Sequence, residues 1–205
     1  MRSLFTTIAV CLACLAWWAP AAAQGQDTLT LENGRLGLTF DRKTGTLTAI
    51  HNKLAGETYQ VQGDEFDVEA VEFRVGSAGA KLASLEAQGD SLKARYEADG
   101  LTVEIAYSLR GENHFAEKQI TLTSTRNYGL KKVVLSRPTF AAAGLQVVPY
   151  RYPKYGRKPG EEPTCTFFGR TAKGGLFTGV EVPFDASTTS GQQVTLGYAP
   201  SLKVA

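Results

Sequence analysis

The chain has 205 residues, with 22 Lys and Arg against 20 Asp and Glu and a formal net charge of +2 at pH 7. This balance gives no electrostatic reason to expect nucleic acid or an anionic membrane as a partner. The length suits one large domain that buries its own core without disulfide staples.

The first 23 residues are typical of a secretory signal peptide. Arg2 supplies the positive start, residues 4–18 are almost wholly apolar, and Ala21–Ala23 form a small-residue cleavage region. The apolar stretch is too short and wrongly flanked for a membrane span. A lipoprotein signal with Cys14 as the lipidated residue is the rival interpretation. We predict a signal peptide over 1–23, no stable membrane anchor, and export to the periplasm or the extracellular space.

Residues 24–205 alternate apolar and polar side chains with a period of two, which is typical of β-strands that bury one face. Asn33-Gly34 and Asp99-Gly100 are hairpin turn signals, because these residues tolerate positive φ. No segment has the 3.6-residue periodicity and caps of a helix. The predicted strands are 28–32, 36–40, 46–50, 66–75, 81–87, 91–98, 101–109, 115–124, 131–135, 145–148, 164–168, 175–182 and 194–199.

About a dozen short strands exceed the seven to nine of an immunoglobulin-like domain. We therefore predict an all-β fold, a large two-sheet antiparallel β-sandwich over 24–205 with no substantial helix after the signal peptide. The final segment, 194–205, reads as a strand still in progress. We expect the β-domain to be truncated at its C-terminal end, with any catalytic machinery beyond Ala205.

The segment 150–160 combines three tyrosines with four basic residues and two prolines. Proline and glycine argue against a strand, so we predict a long loop, and long ordered loops are often functional. Tyrosine rings can stack on sugar rings, and arginine can bind carboxylate or hydroxyl groups. Candidate carbohydrate-binding residues are therefore Tyr150, Arg151, Tyr152 and Tyr155. The alternative is a solvated loop, or one that packs against a following domain.

Glu181 and Asp185 are two carboxylates four residues apart at a predicted strand end. Such a pair could contact a sugar, or run glycoside hydrolysis with one group as the acid and the other as nucleophile or base. With 20 acidic residues in the chain, the same spacing also arises by chance. We retain both residues as carbohydrate-binding candidates and predict no catalytic residue in this chain.

His51 and His114 are isolated, and we place both in surface turns. Neither has a neighbouring His, Cys or Asp at metal-ligand spacing, so we expect no metal and no cofactor. Cys165 is the one cysteine beyond the signal peptide. We expect it to pack as a small buried hydrophobe.

Several segments resemble known families. The run 31–41 (LENGRLGLTFD), followed by 44–47 and 51–59, is similar to the opening of galactose-mutarotase-like supersandwich domains. The segments 166–170 and 174–184 are similar to parts of the N-terminal domains of secreted α-galactosidase-like glycoside hydrolases. There the sandwich supports or flanks a separate (β/α)8 catalytic domain and is usually non-catalytic. Mutarotases carry catalytic His and Glu on a concave sheet, and neither His51 nor His114 matches those motifs.

This resemblance implies a non-catalytic, carbohydrate-associated β-sandwich domain of a secreted glycoside hydrolase-like protein, flanking a catalytic domain absent from the chain. The expected partners are an oligo- or polysaccharide and the downstream catalytic domain, not nucleic acid. Two alternatives stay open, because a fold alone does not fix a function. One is a free-standing glycan-binding module, and the other is a mutarotase-type sugar epimerase.

Overall fold

The computed structural model describes residues 27–150, 166–180 and 187–199. These residues form sixteen β-strands and no helix. The strands are arranged in three antiparallel sheets. The all-β prediction is therefore confirmed for the part of the chain that the structure describes.

The largest sheet has nine strands. They are β1 (Thr28–Glu32), β2 (Leu36–Asp41), β3 (Leu47–Asn52), β4 (Glu57–Asp64), β5 (Asp67–Ala70), β6 (Arg74–Gly76), β11 (Leu130–Ala141), β15 (Thr188–Ser190) and β16 (Gln193–Tyr198). Their order is β1-β2-β3-β4-β11-β16-β15, and β5 pairs with β11 and β6. The long strand β11 pairs with β4 through one half and with β5 through the other.

A four-stranded sheet has the order β10-β9-β8-β7. Its strands are β7 (Lys81–Gln88), β8 (Ser91–Ala98), β9 (Leu101–Ser108) and β10 (Glu117–Ser124). The predicted turn between β8 and β9 is confirmed, because Asp99 and Gly100 adopt φ values of 47° and 79°. Such a turn follows the natural twist of the two strands it joins.

The third sheet has three strands, β12 (Gln146–Tyr150), β13 (Thr166–Arg170) and β14 (Gly175–Gly179), in that order. Tyr150 is thus the last residue of a strand, and its predicted position in a loop is wrong. Pro149 precedes it and pairs with Phe167. A proline lacks the backbone N–H that donates to a neighbouring strand. It is tolerated in β12 because β12 lies at an edge of this sheet, where one side of the strand has no neighbour to bond.

The four-stranded sheet packs on the large sheet to form the first core. Alternate residues of β8 and β9 are buried, as expected for strands with one solvated face. Aromatic rings join the layers edge to face: Phe40 meets Tyr107 with 4.9 Å between centroids, and Phe66 meets Tyr96 at 5.2 Å. This packing makes the fold a β-sandwich.

A second core lies beneath the three-stranded sheet. Phe167 of β13, which is 0 % exposed, packs there with Tyr59 and Val61 of β4, Phe140 of β11 and Val194 of β16. The register places Ile50 of β3, which contacts both cores, beside Tyr59. The three-stranded and four-stranded sheets therefore cover neighbouring parts of one face of the large sheet.

Other local expectations also differ from the structure. No strand was predicted over 57–64, where β4 forms, and the polar residues and Gly63 in that stretch weaken its apolar pattern. The single strand expected over 66–75 is two strands, because the chain turns where Ala70 N–H donates to the Phe73 carbonyl at 2.9 Å. His51 lies in β3 rather than in a turn.

Candidate functional site

The three-stranded sheet has one face in the core and one in solvent. On the inner face, Val147 and Leu176 pack with the fully buried Phe167 against the second core. Successive side chains of a strand point to opposite faces, so the residues that precede and follow Val147, Phe167 and Leu176 in their strands face outward. That outward face is the candidate functional site.

The outward face carries a row of apolar side chains that crosses all three strands. Val148 pairs with Phe168, and Phe168 pairs with Phe177. Their exposed fractions are 51 %, 42 % and 56 %. Directly paired residues on one face of a sheet are close neighbours, so the three side chains form one continuous surface.

Tyr150 extends this surface along β12, two residues beyond Val148 and therefore on the same face. Its ring meets Phe168 edge to face, with centroids 5.7 Å apart and planes at 84°, and 44 % of Tyr150 remains exposed. We call the surface formed by Val148, Tyr150, Phe168 and Phe177 the aromatic face. Exposed apolar patches on a folded protein mark sites of interaction.

Polar groups and glycines border the aromatic face. One bordering row pairs Gln146 with Arg170 and Arg170 with Gly175. Gly175 and Gly179 lie on either side of Phe177 along β14 and carry no side chain that could cover its ring. Gly175 is required there, because a Cβ atom would lie 2.4 Å from the Gly169 carbonyl oxygen.

A hydrogen-bonded clamp fixes the three-stranded sheet to the end of the large sheet where β3 connects to β4. Thr171, in the turn between β13 and β14, donates its hydroxyl to Glu57 Oε1 at 2.6 Å and accepts the Gly174 N–H at 3.0 Å. Tyr59 donates to the other oxygen of Glu57 at 2.6 Å. Asn52 Nδ2 donates to the Gly175 carbonyl at 3.2 Å. These contacts set the orientation of β13 and β14.

The clamp also determines the ionisation of its members. The hydrogen bond from Thr171, followed by that from Tyr59, lowers the pKa of Glu57. Burial and the neighbouring Glu57 raise the pKa of Tyr59 to about 12. Glu57 is therefore a carboxylate at neutral pH and Tyr59 a neutral donor, which is the pairing that the observed hydrogen bonds need.

A second cluster of titratable groups is buried between the large and four-stranded sheets. Glu65, with a side chain 6 % exposed, accepts hydrogen bonds from Lys118 Nζ at 2.5 Å, Tyr107 Oη at 2.5 Å and the Leu47 N–H at 2.6 Å. Burial pushes the pKa of Glu65 up, but Lys118 and the other donors hold it below its usual range. This cluster is enclosed and joins three elements, so it has a structural role.

A third cluster links β4, β5, β6 and β11. Asp67 accepts from Arg74 and from Arg137 Nη2, the latter at 2.9 Å, and Arg137 Nη1 also reaches Asp64 Oδ2 at 2.9 Å. The hydrogen bond from Arg74 is the largest cause that lowers the pKa of Asp67. Each charge here has a partner within the protein.

Neither histidine belongs to the candidate site. His51 lies between the Thr39 hydroxyl, 3.0 Å from Nε2, and the Thr58 hydroxyl, 3.1 Å from Nδ1. His114 is exposed and hydrogen-bonds to Arg35. Within residues 27–150, 166–180 and 187–199, no three His, Cys, Asp or Glu side chains are grouped closely enough to hold a metal. Those ranges also contain no helix with the length and apolarity of a membrane span.

Of the predicted carbohydrate-binding residues, Tyr150 lies on the candidate site. Arg151, Tyr152, Tyr155, Glu181 and Asp185 lie outside the described residues. Sequence reasoning missed Phe168, Phe177 and Arg170. The signal was present: Phe167 and Phe168 are adjacent in a predicted strand, and two neighbours in a strand cannot both face the core.

Likeness to known proteins is found among solved structures. No protein-family model matches the chain. No curated protein sequence matches it. Among solved structures, it is similar to a galactose mutarotase-like protein from Lactobacillus casei ATCC 334, with 12 % sequence identity and a TM-score of 0.41. The matched region covers 83 % of this chain and 67 % of that one.

Proposed function

We propose that this β-sandwich is a non-catalytic module of an exported carbohydrate-active protein and that it holds a glycan on the aromatic face. The observation that carries the proposal is the exposed pair Phe168 and Phe177, directly opposite each other on neighbouring strands. Leaving two large aromatic side chains in water forgoes the stabilisation that their burial would provide, which favours a role in binding.

A sugar ring suits this surface because it presents an apolar C–H face and a rim of hydroxyl groups. The rings of Tyr150, Phe168 and Phe177 provide apolar area that can stack against the C–H face. Gln146 and Arg170, on the same side of the sheet, provide an amide and a guanidinium for hydrogen bonds to the rim. Fixed strands hold these groups, so little ordering is needed when a ligand binds.

The same surface favours binding over hydrolysis. Glycoside hydrolysis needs two carboxyl groups across the scissile bond. The segments 146–150 and 166–180 contain no Asp or Glu. Glu57, an acid among the described residues that contacts this sheet, is committed to Thr171 and Tyr59. The parent protein's catalytic groups would then belong to another domain.

The alternative is that the aromatic face docks against such a catalytic domain. Val148 favours this alternative, because an aliphatic side chain that is 51 % exposed adds apolar area but no ring for stacking. Interfaces between domains of one chain commonly bury surfaces of this kind. The two proposals differ in what the purified protein binds.

The test is affinity electrophoresis of the purified protein through gels that contain neutral or acidic polysaccharides. We expect retardation by at least one polysaccharide, and roughly tenfold weaker binding for Phe168→Ala or Phe177→Ala, which corresponds to about 1.4 kcal/mol. Phe115→Ala is the matched control, because Phe115 is 43 % exposed, against 42 % for Phe168, and lies on another part of the molecule.

Two results would contradict the proposal. Retardation that persists unchanged in the Phe168→Ala/Phe177→Ala double variant would place the glycan elsewhere. Absence of retardation across the panel, together with stable binding of a separately produced catalytic domain that the double variant loses, would establish docking instead.

A further inference from the structure

We infer that the aromatic face selects acidic glycans, with Arg170 binding the carboxylate of a uronic acid whose ring stacks beside it on Phe168. This inference rests on the proposed function and names the substrate class of the same site. Three observations carry it: the position of Arg170, its lack of a carboxylate partner among the described residues, and the absence of Asp and Glu from the segments 146–150 and 166–180.

Arg170 borders the aromatic face, two residues along β13 from Phe168. It follows Phe168 by two residues in β13, so both side chains leave the same face of the sheet. Two residues along a strand span roughly 7 Å, which is within the reach of a group carried by a single sugar ring. Gly175, which pairs with Arg170, carries no side chain.

Arg170 is one of several arginines that form no ion pair among the described residues. Arg35, Arg74, Arg95 and Arg137 each form an ion pair with an Asp or Glu. Among the residues that the structure describes, Arg170 has no ion pair, and it is exposed. An unpaired guanidinium beside an apolar surface is a ready partner for a ligand carboxylate, which it can bind through two parallel hydrogen bonds.

The two described segments that form the sheet of Arg170 carry positive charges and no negative ones. The segments 146–150 and 166–180 contain two cations, Arg170 and Lys173, and no acid, although the whole chain has nearly equal numbers of the two. Lys173 interacts electrostatically with Glu57, so of the two cations in these described segments Arg170 is the one without an acidic partner among the described residues. A local positive potential attracts anionic ligands.

The test compares a polysaccharide with and without its charge. Binding of the full chain to polygalacturonate and to alginate is measured by calorimetry beside binding to their esterified forms, in which the carboxylates are blocked. We expect each acid to bind at least tenfold more tightly than its ester, and 0.5 M NaCl to reduce this difference. Arg170→Gln removes the preference, whereas Arg110→Gln, a change of another exposed arginine, retains it.

The outcomes separate this inference from the proposed function. Equal binding of acid and ester by the unmodified protein, weakened alike by Phe177→Ala, would overturn the selectivity and leave glycan binding in place. A preference for the acid that survives in Arg170→Gln would overturn the role of Arg170. No binding of acidic or neutral polysaccharides would overturn the proposed function itself.

Discussion

Phe167 and Phe168 are neighbours in β13 that face opposite sides of the three-stranded sheet. Phe167 is fully buried in the second core, while Phe168 is 42 % exposed in the centre of the aromatic face. Phe167 therefore attaches the three-stranded sheet to the large sheet, and Phe168 is exposed to solvent. Two adjacent positions of the chain thus hold a buried packing residue and an exposed one.

This arrangement predicts opposite effects of two alanine substitutions. Phe167→Ala should lower the free energy of unfolding by about 3–5 kcal/mol, because it leaves a cavity beneath the sheet. Phe168→Ala should change it by about 0.5 kcal/mol or less and weaken glycan binding instead. Urea unfolding of both variants measures the first effect. Similar losses of stability in both would show that Phe168 is a core residue.

The buried carboxylate of Glu65 predicts a loss of stability in acid. Its folded pKa is depressed, so its contribution is present at neutral pH and is lost as the pH falls below the unfolded value of about 4.3 and through the folded value. Glu65→Gln should lower the free energy of unfolding at pH 7 by about 3–5 kcal/mol, because Lys118 is left buried without a counter-ion. The variant should also lose less stability between pH 5 and pH 3.

Urea unfolding between pH 3 and pH 7 checks this prediction. Glu104→Gln is the control. Because Glu104 is exposed on β9, this variant should show the same dependence of unfolding free energy on pH as the unmodified protein. If the curves of the unmodified protein and Glu65→Gln run parallel over this range, Glu65 does not control the acid response.

The clamp at Thr171 predicts a local loss of protection. Thr171→Val removes the hydrogen bond to Glu57 and the acceptor of the Gly174 N–H. Backbone amides of β13 and β14 should then exchange hydrogen faster, while those of the four-stranded sheet keep their rates. Thr121→Val, on the exposed side of β10, is the matched control. Uniformly faster exchange in every sheet would contradict a local role for Thr171.

Gly63 predicts a strong requirement for glycine where β4 meets β11. Its φ is +136°, and an added Cβ atom would lie 2.0 Å from the Arg137 carbonyl oxygen. Gly63→Ala should lower the free energy of unfolding by about 3 kcal/mol or more. Gly89→Ala, at φ +60° with no atom within 4 Å, should cost only about 1–2 kcal/mol. Equal costs would show that β11 shifts freely to accommodate a side chain.

The local β-structure could be predicted because hairpins are encoded over short distances. The alternation of β8 and β9 and the Asp99-Gly100 turn specify their pairing without reference to the rest of the chain. The strand β4 could not be identified in the same way. Its apolar residue Val61 pairs with Phe140 of β11, far along the chain, so tertiary packing outweighs the weak local pattern.

Only part of the candidate site could be predicted, because the rest depends on strand pairing between distant parts of the chain. Tyr150 attracted attention through the unusual composition of the segment that it begins, and it does lie on the aromatic face. The adjacent Phe167 and Phe168 hinted that one phenylalanine faces solvent, but the pairing of Phe168 with Phe177 became recognisable only through the register that aligns β13 with β14. Register joins residues that are distant in sequence, and a single sequence does not reveal it.

The most direct test of glycan binding at the aromatic face is a nuclear magnetic resonance titration of the ¹⁵N-labelled protein with oligogalacturonates and with their methyl esters. We predict that the largest amide shift changes fall within Gln146–Tyr150, Thr166–Arg170 and Gly175–Gly179. Shift changes confined to the four-stranded sheet or to the surface around His51, with none in these three strands, would contradict the account.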